Sequence, residues 1–190
     1  MSDQILQVTP EQLKQLQGVA NEARVPAAGN HQHNYIPCLI YFLSLIKPKS
    51  IIEIGCYRGI STEAFLIFAD HVTVIDPFLD PTIKEEFLKR VEPYKHKLTI
   101  IEGYSPKDLK DIPDGSFDMC YIDGDHNFPA VLDDIHECKR LVKHGGILAG
   151  HDYDVVAQVN AAVILALNGF EPEIFLGDST WVTCNADYRR

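Results

Sequence analysis

Residues 50–76, SIIEIGCYRGISTEAFLIFADHVTVID, decide how this chain folds. The β-branched run SIIEI is followed by a loop with glycines at 55 and 59, an amphipathic stretch over 60–69, and the run VTVID, which ends at Asp76. This order predicts a strand, a helix and a second strand parallel to the first. The glycines let the backbone turn sharply and direct the N–H groups at the helix start toward an anion.

The same alternation continues on both sides of this unit. Upstream, Thr9-Pro10 predicts the start of one helix, and a second helix is expected at about 35–46 after a polar loop. Downstream, the strands LTIIE, FDMCYID and GGILAG alternate with helices predicted over 82–92, 106–111, 129–142 and 154–168. The runs EIFLG and TWVTC are separated only by Asp178-Ser179, which predicts a hairpin. We therefore expect an α/β fold, a Rossmann-like doubly wound sheet of seven mostly parallel strands with a C-terminal antiparallel hairpin.

Length and composition favour a single structural domain. The chain has 190 residues, of which 46% are hydrophobic, and a net charge of -10. Within that domain we expect residues 1–48 to form a cap over the site and residues 49–190 to form the binding core. The negative charge disfavours nucleic acid and anionic membranes as partners. No apolar run spans a bilayer, and scattered cysteines without a C-x-x-C pair favour a reducing, cytoplasmic location.

The loop after the first strand favours a nucleoside ligand other than a dinucleotide. A dinucleotide fingerprint requires G-x-G-x-x-G, and here Tyr57 fills the middle glycine position, where its side chain would crowd a pyrophosphate. Asp76 follows Gly55 by 21 residues, the distance at which an acid accepts hydrogen bonds from ribose hydroxyls. A glycine loop alone is more often an ordinary strand-to-helix turn, but Asp76 and the ordered strand repeats favour a nucleoside site.

These residues resemble the class I S-adenosylmethionine (SAM)-dependent methyltransferases, specifically the metal-dependent O-methyltransferases of catechol and macrocin type. The resemblance spans about residues 35–153 and rests on the pattern E-L-G-x-Y-x-G-x-S, matched here by Glu53, Gly55, Tyr57, Gly59 and Ser61. It implies the class I methyltransferase fold, with this loop, including Arg58, around the methionine part of SAM. It also implies that Asp76 binds the ribose and that the Gly103-Tyr104-Ser105 turn contacts the adenine.

Polar residues at the ends of the fourth and fifth strands suggest a metal site. Asp123 precedes His151 and Asp152 by 28 and 29 residues, the spacing of the three metal ligands in the family that the chain resembles. Adjacent strand ends lie roughly 5 Å apart, so these side chains can converge on one cation. The ion is expected to be magnesium or manganese. His151 stands where the family usually has an acid, so either the site prefers a softer ion such as manganese or iron, or His151 has another role. Asp123 is also expected to contact the cofactor.

A general base is expected on the loop after the fourth strand. His126 lies three residues after Asp123, where catechol-type enzymes carry their base, and an imidazole that titrates near neutral pH suits proton transfer better than the more acidic Asp125. A histidine in this D-G-D-H turn can also simply bind a backbone carbonyl. His31 and His33 are read as part of a loop near the mouth of the site, without a metal of their own. Trp181 is predicted to lie in the core.

The leading hypothesis is transfer of a methyl group from SAM to a hydroxyl of a small molecule, phenolic or sugar-derived. The alternative is a non-catalytic SAM-binding or regulatory module whose metal site does not work. A Rossmann oxidoreductase is disfavoured by Tyr57. Because the chain is compact, we expect that a partner subunit, in a homo-oligomer, helps to enclose the acceptor.

Overall fold

A computed structural model describes residues 36–169, 172, 174–175 and 179–185. Its helices are α1 (Ile36–Ile46), α2 (Ile60–Phe68), α3 (Pro81–Val91), α4 (Phe128–Leu141) and α5 (Ala157–Ala166). Its strands are β1 (Ser50–Ile54), β2 (His71–Asp76), β3 (Leu98–Glu102), β4 (Phe117–Ile122), β5 (Val142–Gly150), β6 (Ile174–Phe175) and β7 (Trp181–Cys184). Short 3-10 helices span Glu92–Lys97 and Lys107–Leu109. The helix predicted after Thr9 and the loop with His31 and His33 lie outside the described residues, as does most of the predicted 1–48 cap.

The seven strands form one sheet in the order β3-β2-β1-β4-β5-β7-β6. The first five strands of this order are parallel, whereas β7 is antiparallel to β5 and β6 is antiparallel to β7. This confirms the predicted mostly parallel sheet with an antiparallel C-terminal pair. The chain moves outward from β1 in one direction and then from β4 in the other. Ligands in such sheets bind beyond the carboxyl ends of the strands at this switch point.

Helices cover both faces of the sheet, which explains why its central strands are apolar on both sides. On one face, α1 buries Leu39, Phe42, Leu43 and Ile46, at helical spacing, in a cluster with Ile51 of β1. On the other face, α4 and α5 pack on a second cluster whose β1 members are Ile52 and Ile54. The single tryptophan, Trp181, is 1% exposed in this second cluster, as predicted for a core residue.

The helix starts follow local chemistry that the sequence makes visible. The carboxylate of Asp80 accepts a hydrogen bond from the Thr82 backbone N–H at 2.8 Å, and Pro81 follows it in the first turn of α3. These are an N-cap and a first-turn proline, whose fixed φ suits a helix start. At α2 the chain enters instead through Gly59 with φ 76°, without a side-chain cap.

Three predicted elements differ from the structure. The helix predicted over 106–111 is only the 3-10 turn Lys107–Leu109, and α5 begins at residue 157, not at 154. β5 begins at Val142, three residues early, and its register against β4 shifts between Phe117 and Met119. The Gly145-Gly146 pair, predicted as the start of the strand, therefore lies within it, where Gly146 leaves no room for a Cβ.

Cys120 of β4 and Cys138 of α4 form a disulfide between the sheet and the helix that covers it. Sequence reasoning did not predict this bond, because two cysteines 18 residues apart carry no pairing signal without a fold. Disulfides are rare in cytosolic proteins, so this bond counts against the predicted reducing location. Within the described residues, no helix combines the length and apolar character needed to cross a bilayer.

Candidate functional site

The loops that follow the central strands meet at the carboxyl edge of the sheet. Each of the first residues past β1, β4 and β5 donates its backbone N–H to one of the last two carbonyls of a neighbouring strand. The bonds are Gly55 to Ile75 at 2.9 Å, Asp123 to Ile54 at 2.8 Å, and His151 to Ile122 at 3.0 Å. The ladder of the sheet thus continues for one residue and fixes where each loop begins.

The loop over residues 55–59, hereafter the cradle loop, turns through three left-handed residues. Gly55, Tyr57 and Gly59 have φ values of 80°, 46° and 76°. A Cβ built on Gly55 would lie 2.3 Å from the carbonyl oxygen of Asp123, and one on Gly59 would lie 2.8 Å from the Phe87 ring. Both predicted glycines are therefore required for space as well as for conformation. The Tyr57 side chain is half exposed, and the Arg58 guanidinium lies 4.9 Å from its ring centroid.

Asp76 at the end of β2 binds the cradle loop directly. One carboxylate oxygen accepts the backbone N–H groups of Cys56 and Tyr57 at 3.0 and 3.1 Å, and the other accepts that of Phe78 at 2.8 Å. The anion that the cradle loop binds in this structure is therefore the Asp76 side chain. The Cys56 thiol also donates to the first oxygen at 3.7 Å, so the capacity for a further donor lies on the second oxygen, which accepts the Phe78 N–H alone among the bonds described.

Glu53, the last acid of β1, lies beneath the cradle loop with no exposed surface. Its two carboxyl oxygens bind the hydroxyls of Ser61 and Thr62 in the first turn of α2. Burial raises the pKa of Glu53 to about 8, so the group is largely neutral at pH 7. Glu53 and Ser61 therefore fasten α2 to β1 in this structure, and direct contact of either with a cofactor stays a prediction.

The predicted adenine turn lies beyond β3. The Tyr104 backbone N–H binds the Asp108 carboxylate at 2.9 Å, and a Cβ on Gly103 would lie 2.5 Å from the same carboxylate. Ser105 lies beside the buried carboxyl of Asp134 in α4, whose pKa burial raises to about 6. Arg58 pairs with Glu86 of α3 at 2.8 Å.

Four charged groups converge where β4 and β5 end, and we call Asp123, His126, His151 and Asp152 the charge cluster. The His126 Nε2 atom lies 3.0 Å from Asp152 Oδ2 and 3.6 Å from Asp123 Oδ1. The His151 Nδ1 atom lies 3.1 Å from Asp152 Oδ1 and 4.0 Å from Asp123 Oδ1. One ligand atom from each of Asp123, His126 and Asp152 lies within 4.8 Å of the others, close enough to hold one metal ion.

The geometry of the charge cluster differs from two sequence expectations, and the metal and base assignments stay predictions. The predicted metal set was Asp123, His151 and Asp152, whereas the compact set of ligand atoms contains His126 in place of His151. The predicted base was expected to titrate near neutral pH, but the carboxylates of Asp123 and Asp152 raise the pKa of His126 to about 10. Hydrogen bonds from His126 and His151 hold the pKa of Asp152 well below its usual value. Without a bound cation, His126 is thus protonated at pH 7 and cannot accept a proton.

Asp125 lies on the same loop but is exposed and turned toward the helix. One of its oxygens accepts the Asn127 backbone N–H at 2.9 Å and its side-chain amide at 2.7 Å, just before α4 begins. It still lines a small pocket at the site.

Sequence reasoning missed two residues of the site. Thr62 shares Glu53 with Ser61, and the pair of adjacent hydroxyls after the loop was the available signal. Asp134 is buried against the turn after β3, and nothing in the sequence distinguished it from the exposed acids of α4.

A protein-family comparison matches residues 52–153 to a family described as Methyltransferase domain. This match covers more than half of the 190 residues and includes the cradle loop and the charge cluster. A comparison with curated protein sequences found no match.

Solved structures resemble this one at low identity. An SAH-bound methyltransferase from Podospora anserina is 20% identical with a TM-score of 0.54, over 71% of this chain and 60% of that one. An O-methyltransferase from Bacillus cereus in complex with SAH is 17% identical with a TM-score of 0.60, over 83% and 79% of the two chains. An N-methyltransferase from Bradyrhizobium japonicum is 14% identical with a TM-score of 0.61, over 84% and 99%. At such identities the similarity shows the fold alone.

Proposed function

The chain belongs to the class I SAM-dependent methyltransferases, and on this premise we propose that it transfers the methyl group of SAM to a hydroxyl oxygen of a small molecule. The observation that carries this proposal is the contact between the cradle loop and the charge cluster. A Cβ on Gly55 would touch the Asp123 backbone, so a ligand on the cradle loop and one on the charge cluster would be neighbours. Adjacent positions for a methyl donor and for an acceptor oxygen are what group transfer requires.

The proposed SAM site lies along the cradle loop and the ends of β2 and β3. Asp76 retains acceptor capacity for a ribose hydroxyl, and SAM itself brings the electrophilic methyl group. The residues proposed to contact SAM or to shape its site are Glu53, Gly55, Tyr57, Arg58, Gly59, Ser61, Asp76, Gly103, Tyr104, Ser105 and Asp123.

A divalent cation is proposed to bind at the charge cluster. The donor set fits, because two carboxylates and an imidazole face one another within 4.8 Å. Bound there, a cation would lower the pKa of an acceptor hydroxyl and hold its oxygen toward the methyl group. The mixed oxygen and nitrogen donors favour manganese or iron over magnesium.

We propose an oxygen acceptor, not a nitrogen acceptor, on the basis of the charge cluster, because the fold is shared by both kinds of methyltransferase. The structural relatives include both an O-methyltransferase and an N-methyltransferase at nearly equal TM-scores. A neutral amine acceptor has a nucleophilic lone pair without first losing a proton, whereas a bound cation helps a hydroxyl acceptor to lose its proton. The proton leaving that hydroxyl is proposed to pass to His126 or Asp125, the two candidates on the loop after β4.

The proposal also covers the parts of the protein that surround the site. Residues 1–48 are proposed to cap the site over the core of residues 49–190, and a second copy of the chain to enclose the acceptor. The net charge of -10 argues for acceptors other than nucleic acid or anionic membrane surfaces. A cytoplasmic location is also proposed, although the Cys120–Cys138 disulfide is unusual for that compartment.

Calorimetric titration of the purified protein with SAM and with SAH tests the first step. Micromolar binding of both is expected. Incubation with radiolabelled SAM, Mn²⁺ and a panel of phenols and sugars then tests transfer, with matched amines as the control. Absence of any affinity for SAM and SAH would contradict the proposal, and binding without transfer to any acceptor would favour the non-catalytic module.

A further inference from the structure

Two histidines contact Asp152, but they use different oxygens of its carboxylate. His126 Nε2 lies 3.0 Å from Oδ2, and His151 Nδ1 lies 3.1 Å from Oδ1. One oxygen of Asp152 therefore faces His126 and the other faces His151. The two rings cannot both serve the same function toward a cation held by Asp152 and Asp123.

His126 is directed into the space between the two carboxylates. Its Nε2 atom is 3.6 Å from Asp123 Oδ1 as well as 3.0 Å from Asp152 Oδ2, and the three residues form the compact donor set. The side chain is 47% exposed, so the ring can adjust around an incoming ion. A nitrogen that faces two carboxylates at this range occupies the position of a metal ligand, not that of a base facing a substrate.

His151 supports Asp152 from the opposite side. Its side chain is only 18% exposed, and its Nδ1 is 4.0 Å from Asp123 Oδ1, beyond the distance of a hydrogen bond. Its backbone N–H is bound to the Ile122 carbonyl, which fixes the backbone of His151 at the end of β5. A histidine that donates a hydrogen bond to the outer oxygen of a ligating carboxylate orients that carboxylate toward the cation.

We propose that His126 completes a metal site with Asp123 and Asp152, and that His151 is a positioning residue that orients Asp152. This assignment rests on the proposed function and reverses the roles that family resemblance gives to the two histidines. It has a chemical consequence, because the Nε2 lone pair of His126 cannot bind a cation and accept a substrate proton together. Asp125 is then the remaining proton acceptor on the loop after β4.

Pulsed EPR of Mn²⁺ bound to the full chain tests the assignment without any turnover. The wild type is expected to show hyperfine coupling from one directly bound nitrogen. His126→Gln should abolish this coupling and weaken Mn²⁺ binding by roughly 100-fold or more, as for a lost ligand. His151→Gln, the matched control, should keep the coupling and weaken binding by about 10-fold, within the range for residues that orient ligands.

Three outcomes would overturn the assignment: coupling that persists in His126→Gln, coupling that disappears in His151→Gln, or a wild type that does not bind Mn²⁺. Thermal unfolding of both variants without metal checks that each is folded. Calorimetry with SAM on the same samples separates this inference from the proposed function. SAM binding without Mn²⁺ binding removes only the metal assignment, whereas loss of SAM binding in the wild type removes the function itself.

Discussion

The cradle loop and the charge cluster lie side by side at the carboxyl edge of the sheet, but they satisfy their charges in opposite ways. The carboxyl groups of the cradle region, on Glu53 and Asp76, bind neutral donors of the chain itself. In the charge cluster, ionisable groups face one another, and the shifts in the pKa of His126 and Asp152 arise from that mutual contact. The difference indicates that the proposed methyl-donor side is formed by the chain alone, whereas the proposed acceptor side depends on a ligand.

Removing one carboxylate of the charge cluster should have the largest effect. Asp123→Ala is expected to lower kcat/KM by roughly 10²–10³-fold, because it removes a charge that organises the reacting oxygen. Steady-state kinetics with labelled SAM would measure this effect. Asp133→Ala, at an exposed acid of α4, should leave kcat/KM within a factor of two, and an equal loss in both variants would contradict a specific role for Asp123.

Gly55→Ala tests whether the cradle loop and the charge cluster are mechanically joined. A Cβ there meets the Asp123 backbone at 2.3 Å on top of the strain of φ 80°, so the variant should lose about 2–5 kcal/mol of unfolding free energy. Gly169→Ala is the matched control, since φ is 86° there and no atom lies within 4 Å of the added Cβ. It should lose about 1–2 kcal/mol from strain alone. Chemical denaturation would compare them, and equal losses would mean that the close approach is unimportant.

The pH dependence of stability should separate the two regions. Burial raises the pKa of Glu53 from 4.5 to about 8, so its contribution to stability is full below pH 4.5 and is lost as the pH rises to about 8. Glu53→Gln, which stays neutral, should flatten the curve of unfolding free energy against pH in that window. A variant curve parallel to that of the wild type would show that Glu53 is ionised in the folded protein.

His126 should act in a more alkaline window. Its pKa is raised from 6.5 to about 10 in the metal-free protein, so the stability it contributes is full below pH 6.5 and disappears as the pH approaches 10. His126→Gln should flatten the curve above pH 6.5 and leave it unchanged below pH 6.5, where only Glu53 contributes. Denaturation series from pH 4 to 10 on both variants would measure the two effects together, and a His126→Gln effect below pH 6.5 or a Glu53→Gln effect that continues above pH 8 would contradict the separation.

The smallest effect is expected from Thr62→Val, which keeps the shape of the side chain and removes the hydroxyl bound to Glu53. The loss should be about 1 kcal/mol, the usual net value of one hydrogen bond, with little change in SAM affinity. Thr99→Val, at an exposed hydroxyl of β3, is the control and should change stability less. A clear loss of SAM affinity in Thr62→Val would instead indicate that Thr62 contacts the cofactor directly.

Much of the fold was predictable because its signals are local. SIIEI and LTIIE form strands with the predicted bounds, because β-branched runs flanked by loops favour extended backbone. SIIEI is buried in the centre of the sheet, whereas LTIIE is a largely exposed edge strand. The helix expected over 106–111 fails because so few residues cannot sustain more than one turn without a long apolar face. The early start of β5 depends on its irregular pairing with β4, which no local pattern encodes.

The sequence predicts which strand ends form the site, but not which side chains contact one another there. The spacing from Asp123 to Asp152 fixes which strand ends meet, because parallel strands end at one edge. It does not fix which histidine ring turns toward Asp123, since that depends on rotations about side-chain bonds. Likewise, the sequence distinguishes Asp76 as an acid at the right number of residues after Gly55. Its hydrogen bonds to the backbone of the cradle loop are visible only in three dimensions.

The three backbone hydrogen bonds that end on Asp76 have a thermodynamic consequence for recognition. A loop that is disordered before its ligand binds loses conformational entropy on binding, and this entropy cost weakens the observed affinity. Here the segment is held in shape by its own side chain, so most of that entropy is lost during folding. Nucleoside capture by this protein should therefore proceed close to rigid-body docking, with a small heat-capacity change and little slow relaxation after encounter.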